Sequence, residues 1–186
     1  TITWGIYEHD YAGMQCWPLG DASARYFLHD AMRGIDYLQT RPEVNPDKIG
    51  VTGNSGGGLQ TALMMMCDMR VAAAAPATFI TSRLAHLYTG GPADAEHIWP
   101  GMSLYGFDHE DMLISMAPKP VLVLAATSDF FPIEATRRTV ERAKRMWKIY
   151  DKTDNIELFE DNSIHKYTCS MAKVAAEFFS KHLTNK

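Results

Sequence analysis

The chain has 186 residues, 46% hydrophobic and 22% charged, which suits one globular domain with a sizeable core. Its net charge of −4 leaves no electrostatic footprint for nucleic acid or an anionic membrane. No apolar run approaches the roughly 18 residues that span a bilayer, and three widely spaced cysteines, Cys16, Cys67 and Cys169, argue against a disulfide framework.

Residues 1–7 alternate, with Ile2, Trp4 and Ile6 on one side, and predict a strand interrupted by Gly5. The sequence starts at Thr1 without a signal-peptide pattern, so the expected location is cytoplasmic. Glu8 to Gly20, rich in Gly, Pro and aromatics, predicts a loop, and His9-Asp10 reads as a polar strand end rather than a metal pair. Phe27, Leu28, Ala31, Ile35 and Leu38 recur at three- and four-residue steps, which predicts an amphipathic helix over 22–39 capped by Asp21 or Ser23. Arg41 to Asp47 is a turn-rich connector.

A short apolar run then ends in Gly53-Asn54-Ser55-Gly56-Gly57, and a helix follows from near Gly57. This is the strand, sharp turn and helix in which Gly-x-Ser-x-Gly exposes a serine hydroxyl. Glycine at 53, 56 and 57 is expected to remove side-chain collisions there, with the Gly56 N–H as an oxyanion donor. Met64-Met65-Met66 reads as core filling, and Cys67 as a buried thiol. Val71 to Ala75 predicts a small-residue strand closed by Pro76.

Residues 79–118 are the least regular and are expected to form a lid-like insertion. Their two His/acid clusters, Asp94-Ala95-Glu96-His97 and Asp108-His109-Glu110-Asp111, lack the spacing of a metal site, and no metal is expected. The second cluster predicts the start of a short helix through Ser115. Pro120 to Ala126 is the continuous apolar run of a strand covered on both faces. A helix over 133–146, a strand over 155–160 and a closing helix over 167–183 complete a single α/β domain, with a mostly parallel sheet and helices on both faces.

Such sheets place ligands beyond the carboxyl ends of their strands. Ser55, Asp129 and His165 fall at three such ends, in the chain order Ser, Asp, His. Ser55 is a weak nucleophile that needs a base, His165 supplies one, and Asp129 would fix the imidazole tautomer. Each has a plainer alternative: Asp129 as a helix cap, His165 as one of seven histidines.

The stretches 30–38, 45–50, 53–58 and 127–132 resemble the α/β-hydrolase superfamily, and within it bacterial esterases of the acetyl xylan esterase and prolyl-oligopeptidase-like group. The resemblance implies a Ser55/Asp129/His165 triad, carboxylic ester substrates, an acyl-serine intermediate and no cofactor. Members of that superfamily usually carry several strands before the position of residue 1, and a loop there supplies the second oxyanion N–H. No His-Gly-Gly-Gly-type loop precedes Ser55. The second donor is therefore expected from Glu8–Gly13 or from a partner subunit, and the exposed sheet edge is expected to drive a homodimer or larger homo-oligomer. Two further readings stay open: a peptidase or amidase of the same fold, and a catalytically weak relative acting as a binding or scaffold protein.

Overall fold

The computed structural model describes residues 7–91 and 93–184. Most of the strand expected over 1–7 lies outside them. Four strands, β1 (Ile49–Asn54), β2 (Val71–Ala77), β3 (Val121–Ala126) and β4 (Ile156–Asp161), form one parallel sheet in the order β1-β2-β3-β4. The α/β architecture expected from sequence is therefore the one observed, with helices on both faces.

Alternation along the strands builds two cores. Val121 and Val123 of β3 join one, while Leu122, Leu124 and Ala126 join the other. Helices α2 (Ala24–Gln39), α3 (Gly56–Cys67), α5 (His109–Ile114) and α6 (Ile133–Ile149) line the first face, and α7 (Cys169–Leu183) covers the second. Methionines 64 and 65 are buried in the first core. Cys67 is exposed rather than buried, because burial along α3 ends at Met65 and Cys67 closes the helix.

Several boundaries differ from the sequence pattern for identifiable reasons. The segment expected as loop over 8–20 is helical, with a π-helical turn at Tyr7–Ala12, α1 at Gly13–Cys16 and a 3₁₀ turn at Trp17–Leu19. A Cβ at Gly13 would lie 2.4 Å from Ala95 Cβ, so that glycine lets the N-terminal turns seat against residues 93–97. β2 runs through Pro76, which stands opposite Gly53, and ends at Ala77. α7 begins at Cys169 because the Thr168 hydroxyl accepts from Met171 N (3.1 Å) and caps it. At α2 neither expected cap binds the first turn in the usual way: Ser23 makes no capping hydrogen bond, and Asp21 accepts from Ala22 N (2.8 Å).

Residues 79–118 contain α4 (Arg83–Thr89), a 3₁₀ turn at Ala95–His97 and α5, which opens with a reciprocal capping box between Asp108 and Asp111. Phe79, Ile80, Met112 and Leu113 from this stretch are buried in the first core. Among the described residues, no helix is long and apolar enough to cross a membrane.

Candidate active site

Ser55 sits between β1 and α3 with φ 58° and ψ −116°, a conformation that costs a non-glycine residue about 1–3 kcal/mol. Its surroundings hold it there. Ser55 N donates to Ala77 O (3.0 Å) and to Thr78 Oγ1 (3.2 Å), and Thr78 Oγ1 donates to Asn54 Oδ1 (2.8 Å). Thr78 itself has φ 47°, and its N–H donates to Leu124 O (2.8 Å), tying the elbow to β3. The sequence pattern passed over Thr78, because a threonine one residue beyond a strand carries no signal until the fold places it under the serine.

The glycines divide differently from expectation. A Cβ at Gly53 would stand 2.5 Å from Gly57 O, and one at Gly58 would stand 2.4 Å from Ala77 O. Cβ atoms at Gly56 and Gly57 would meet open space. Glycine is thus required at 53 and 58, where the turn and helix close on neighbouring backbone. Gly56 begins α3 and is exposed.

At the same end of the sheet, Thr127 N donates to Asp161 O (2.9 Å) and Ser128 N to Ser163 O (3.0 Å), which fastens the loops after β3 and β4 together. That brings Asp129 to His165: Nδ1 lies 2.9 Å from Oδ1 and 3.0 Å from Oδ2. The carboxylate is 2% exposed and the imidazole 22%. Asp129 Oδ1 also accepts from Phe131 N (3.2 Å), and the α6 N-cap is Pro132, so Asp129 is bonded to a histidine and does not cap the next helix. Phe130 lies over the imidazole, with centroids 4.3 Å apart. Among the described residues, Ser55 Oγ makes no hydrogen bond to His165; such contacts often tighten only once substrate is bound.

Behind this pair lies a cluster of rings. Phe131 stacks on His86 (4.6 Å) and Phe79 on His109 (4.6 Å), while His97 meets Phe79 edge-on (5.5 Å). His109 Nδ1 accepts from Thr81 N (3.1 Å), and burial pushes its pKa down to about 4. Burial likewise holds His97 down to about 4. His109 thus fills space as a neutral acceptor, and His97 fills space against Phe79.

Gly56 also lines a cavity of ≈ 190 Å³, together with His9, Phe27, Gln60 and Glu96 among others. His9 was expected as a polar strand end. Instead it sits on a helical turn, and its Nδ1 is hydrogen-bonded to buried Glu96. Burial pushes the Glu96 carboxyl up from its ordinary range. The segment expected to lend a second oxyanion donor as a loop is thus a helical turn, and the side chain it brings to the cavity is His9.

No protein-family model matches the chain. Its curated relative "Putative hydrolase YtaP" of Bacillus subtilis (strain 168) is 24% identical over 170 residues, covering 84% of this chain and 53% of that protein. Among solved structures, a carbohydrate esterase family 15 glucuronoyl esterase from Caldicellulosiruptor kristjansonii superposes with a TM-score of 0.74 at 19% identity, covering 90% of this chain and 52% of that one. Methylesterase BT1017 superposes at 0.69 with 22% identity, covering 86% and 35%. The chain therefore has the α/β-hydrolase fold of these esterases. It spans about half the length of the curated relative it matches.

Proposed function

We propose that the chain is a serine carboxylesterase acting on short acyl esters, with Ser55 as nucleophile, His165 as base and Asp129 as its orienting acid. The observation that carries this reading is the Asp129–His165 hydrogen-bond pair, at the same sheet end as a serine held at positive φ. Asp129 accepts from Nδ1–H and leaves Nε2 as the base. Nε2 takes the Ser55 proton as Oγ adds to the ester carbonyl, and the Gly56 N–H stabilises the oxyanion that forms. The imidazolium then protonates the departing alcohol, leaving acyl-Ser55. Water, deprotonated by His165, releases the acid and restores the serine.

A weaker relative of such enzymes is the second reading, favoured by one observation: Ser55 Oγ has no hydrogen bond to His165 among the described residues. One missing oxyanion donor would cost about 2.7–4 kcal/mol, or roughly 10²–10³ in rate. Activity would then survive only on activated esters. Hydrolysis of a p-nitrophenyl series from acetate to octanoate, by the protein and by Ser55→Ala, separates the readings. Saturable turnover abolished in Ser55→Ala supports the esterase, whereas equal rates in both proteins would leave a binding role. A matching anilide tests for amidase activity.

A further inference from the structure

We propose that His9, Asp94 and Glu96 form a binding site for a divalent transition-metal ion of the zinc type, on the wall of the cavity beside Gly56. One ligand atom from each residue lies within 4.8 Å of the others, close enough for a single ion to be shared. The donor set is one imidazole nitrogen and two carboxylates. That mixture suits zinc and its first-row neighbours better than magnesium or calcium, which favour all-oxygen shells.

Burial supplies the second argument. Glu96 is 1% exposed, and its Oε1 is hydrogen-bonded to His9 Nδ1. Its Oε2 is buried with no hydrogen-bond partner among the described residues. A carboxylate oxygen taken out of water needs a compensating charge or donor, and a cation held with His9 and Asp94 supplies it. Asp94 is half-buried, and so is His9. The cavity lined by His9 and Glu96 is large enough to leave room for a water on the metal. Three protein ligands with one open position is the arrangement of accessible zinc sites.

The scaffold is built to hold the ligands in place. Gly13 lets the N-terminal turns approach Ala95, the residue between the two carboxylates. The His9 ring lies against Phe27 of α2, with centroids 5.5 Å apart. Sequence spacing hid the site, because its nitrogen and its oxygens are more than eighty residues apart in the chain. An ion there would clip the N-terminal turn to the stretch that follows α4.

The test is calorimetric titration of zinc into protein stripped with chelator, with thermal unfolding followed in parallel. We expect saturable binding of one equivalent and a rise in Tm that chelator reverses. Asp94→Asn, on a half-exposed side chain, and His9→Ala should each weaken binding by at least roughly tenfold while keeping a native circular dichroism spectrum. Glu96→Gln, which preserves shape and a hydrogen-bonding oxygen, should abolish it. Ser55→Ala should bind zinc as the parent does, so the outcome is independent of the esterase reading. Absence of saturable zinc binding overturns the proposal, as does equal affinity in the Asp94→Asn and His9→Ala variants.

Discussion

Strands β3 and β1 are both six residues long, and both lead into loops that carry candidate catalytic residues. Their surroundings differ sharply. Every residue of β3 is buried, with a strand on each side and helices above and below. β1 is the edge of the described sheet, and only Ile49 in it is buried. An open trough of ≈ 580 Å³ runs between β1 and α2, lined by Ala31, Ile35, Leu38, Ile49 and Val51 among others. Asp129 thus follows the fully buried central strand, whereas Ser55 follows β1 and His165 follows β4, the two edge strands of the described sheet, each with a single buried residue. The elbow bonds from Ser55 and Thr78 to Ala77 and Leu124 offset that difference by tying the edge strand's end to the interior.

The largest expected effect is on the interior side. Asp129→Asn keeps the shape of the pair but favours the wrong imidazole tautomer, and kcat for p-nitrophenyl acetate should fall by roughly 10⁴. Activity within a factor of ten of the parent would detach Asp129 from the chemistry. Next come the strands themselves. Leu124→Ala, at a fully buried site, should lower unfolding free energy in urea by about 2–5 kcal/mol. Val51→Ala, half-exposed on β1, should cost below about 1 kcal/mol. Equal costs would mean that the edge is as well covered as the centre.

Acid titration gives the third test, because it reads the ring cluster behind the Asp129–His165 pair. His109 is held near pKa 4 by burial, whereas an unfolded histidine titrates near 6.5. Between those values the unfolded chain binds the proton and the folded one does not, so stability falls as pH drops from 6.5 to 4. Above 6.5 both states are neutral at this position and the contribution is flat. His109→Gln keeps an acceptor for Thr81 N and should make the fall shallower. An unchanged slope would show that His109 does not carry it.

The contrast between centre and edge also explains what could be read from the residues alone. The continuous apolar run 120–126 and the glycines of the elbow carry strong local signals, so β3, the Ser55 turn and the Ser, Asp, His order were legible. Asp129 and His165 meet because two neighbouring loops pair through Ser128 and Ser163, a contact the strand-end rule anticipates without showing. What stayed hidden depends on residues far apart in the chain. His9 finds Glu96, and Thr78 props the serine, only after the sheet has formed. The helical turns over 7–19 were missed because their Gly and Pro content mimics a loop, while Gly13 is in fact a packing residue against Ala95. Cys67 was misplaced because the apolar run 62–67 outlasts the part of α3 that the core covers.

The smallest change in stability, and the most informative about the edge, is expected from Val51→Lys. We propose that the β1 edge and its trough are covered by a second copy of the chain, since a strand whose outer side has no partner among the described residues can recruit another. A lysine at position 51 places a charge in the trough at little cost to a half-exposed site. The parent should therefore scatter light as a dimer or larger species at micromolar concentration, and Val51→Lys as a monomer with nearly the same Tm. A monomeric mass for the parent overturns the assembly and leaves the edge open in solution. A dimer that survives Val51→Lys unchanged would place the interface elsewhere, and the trough would then need another explanation for its apolar lining.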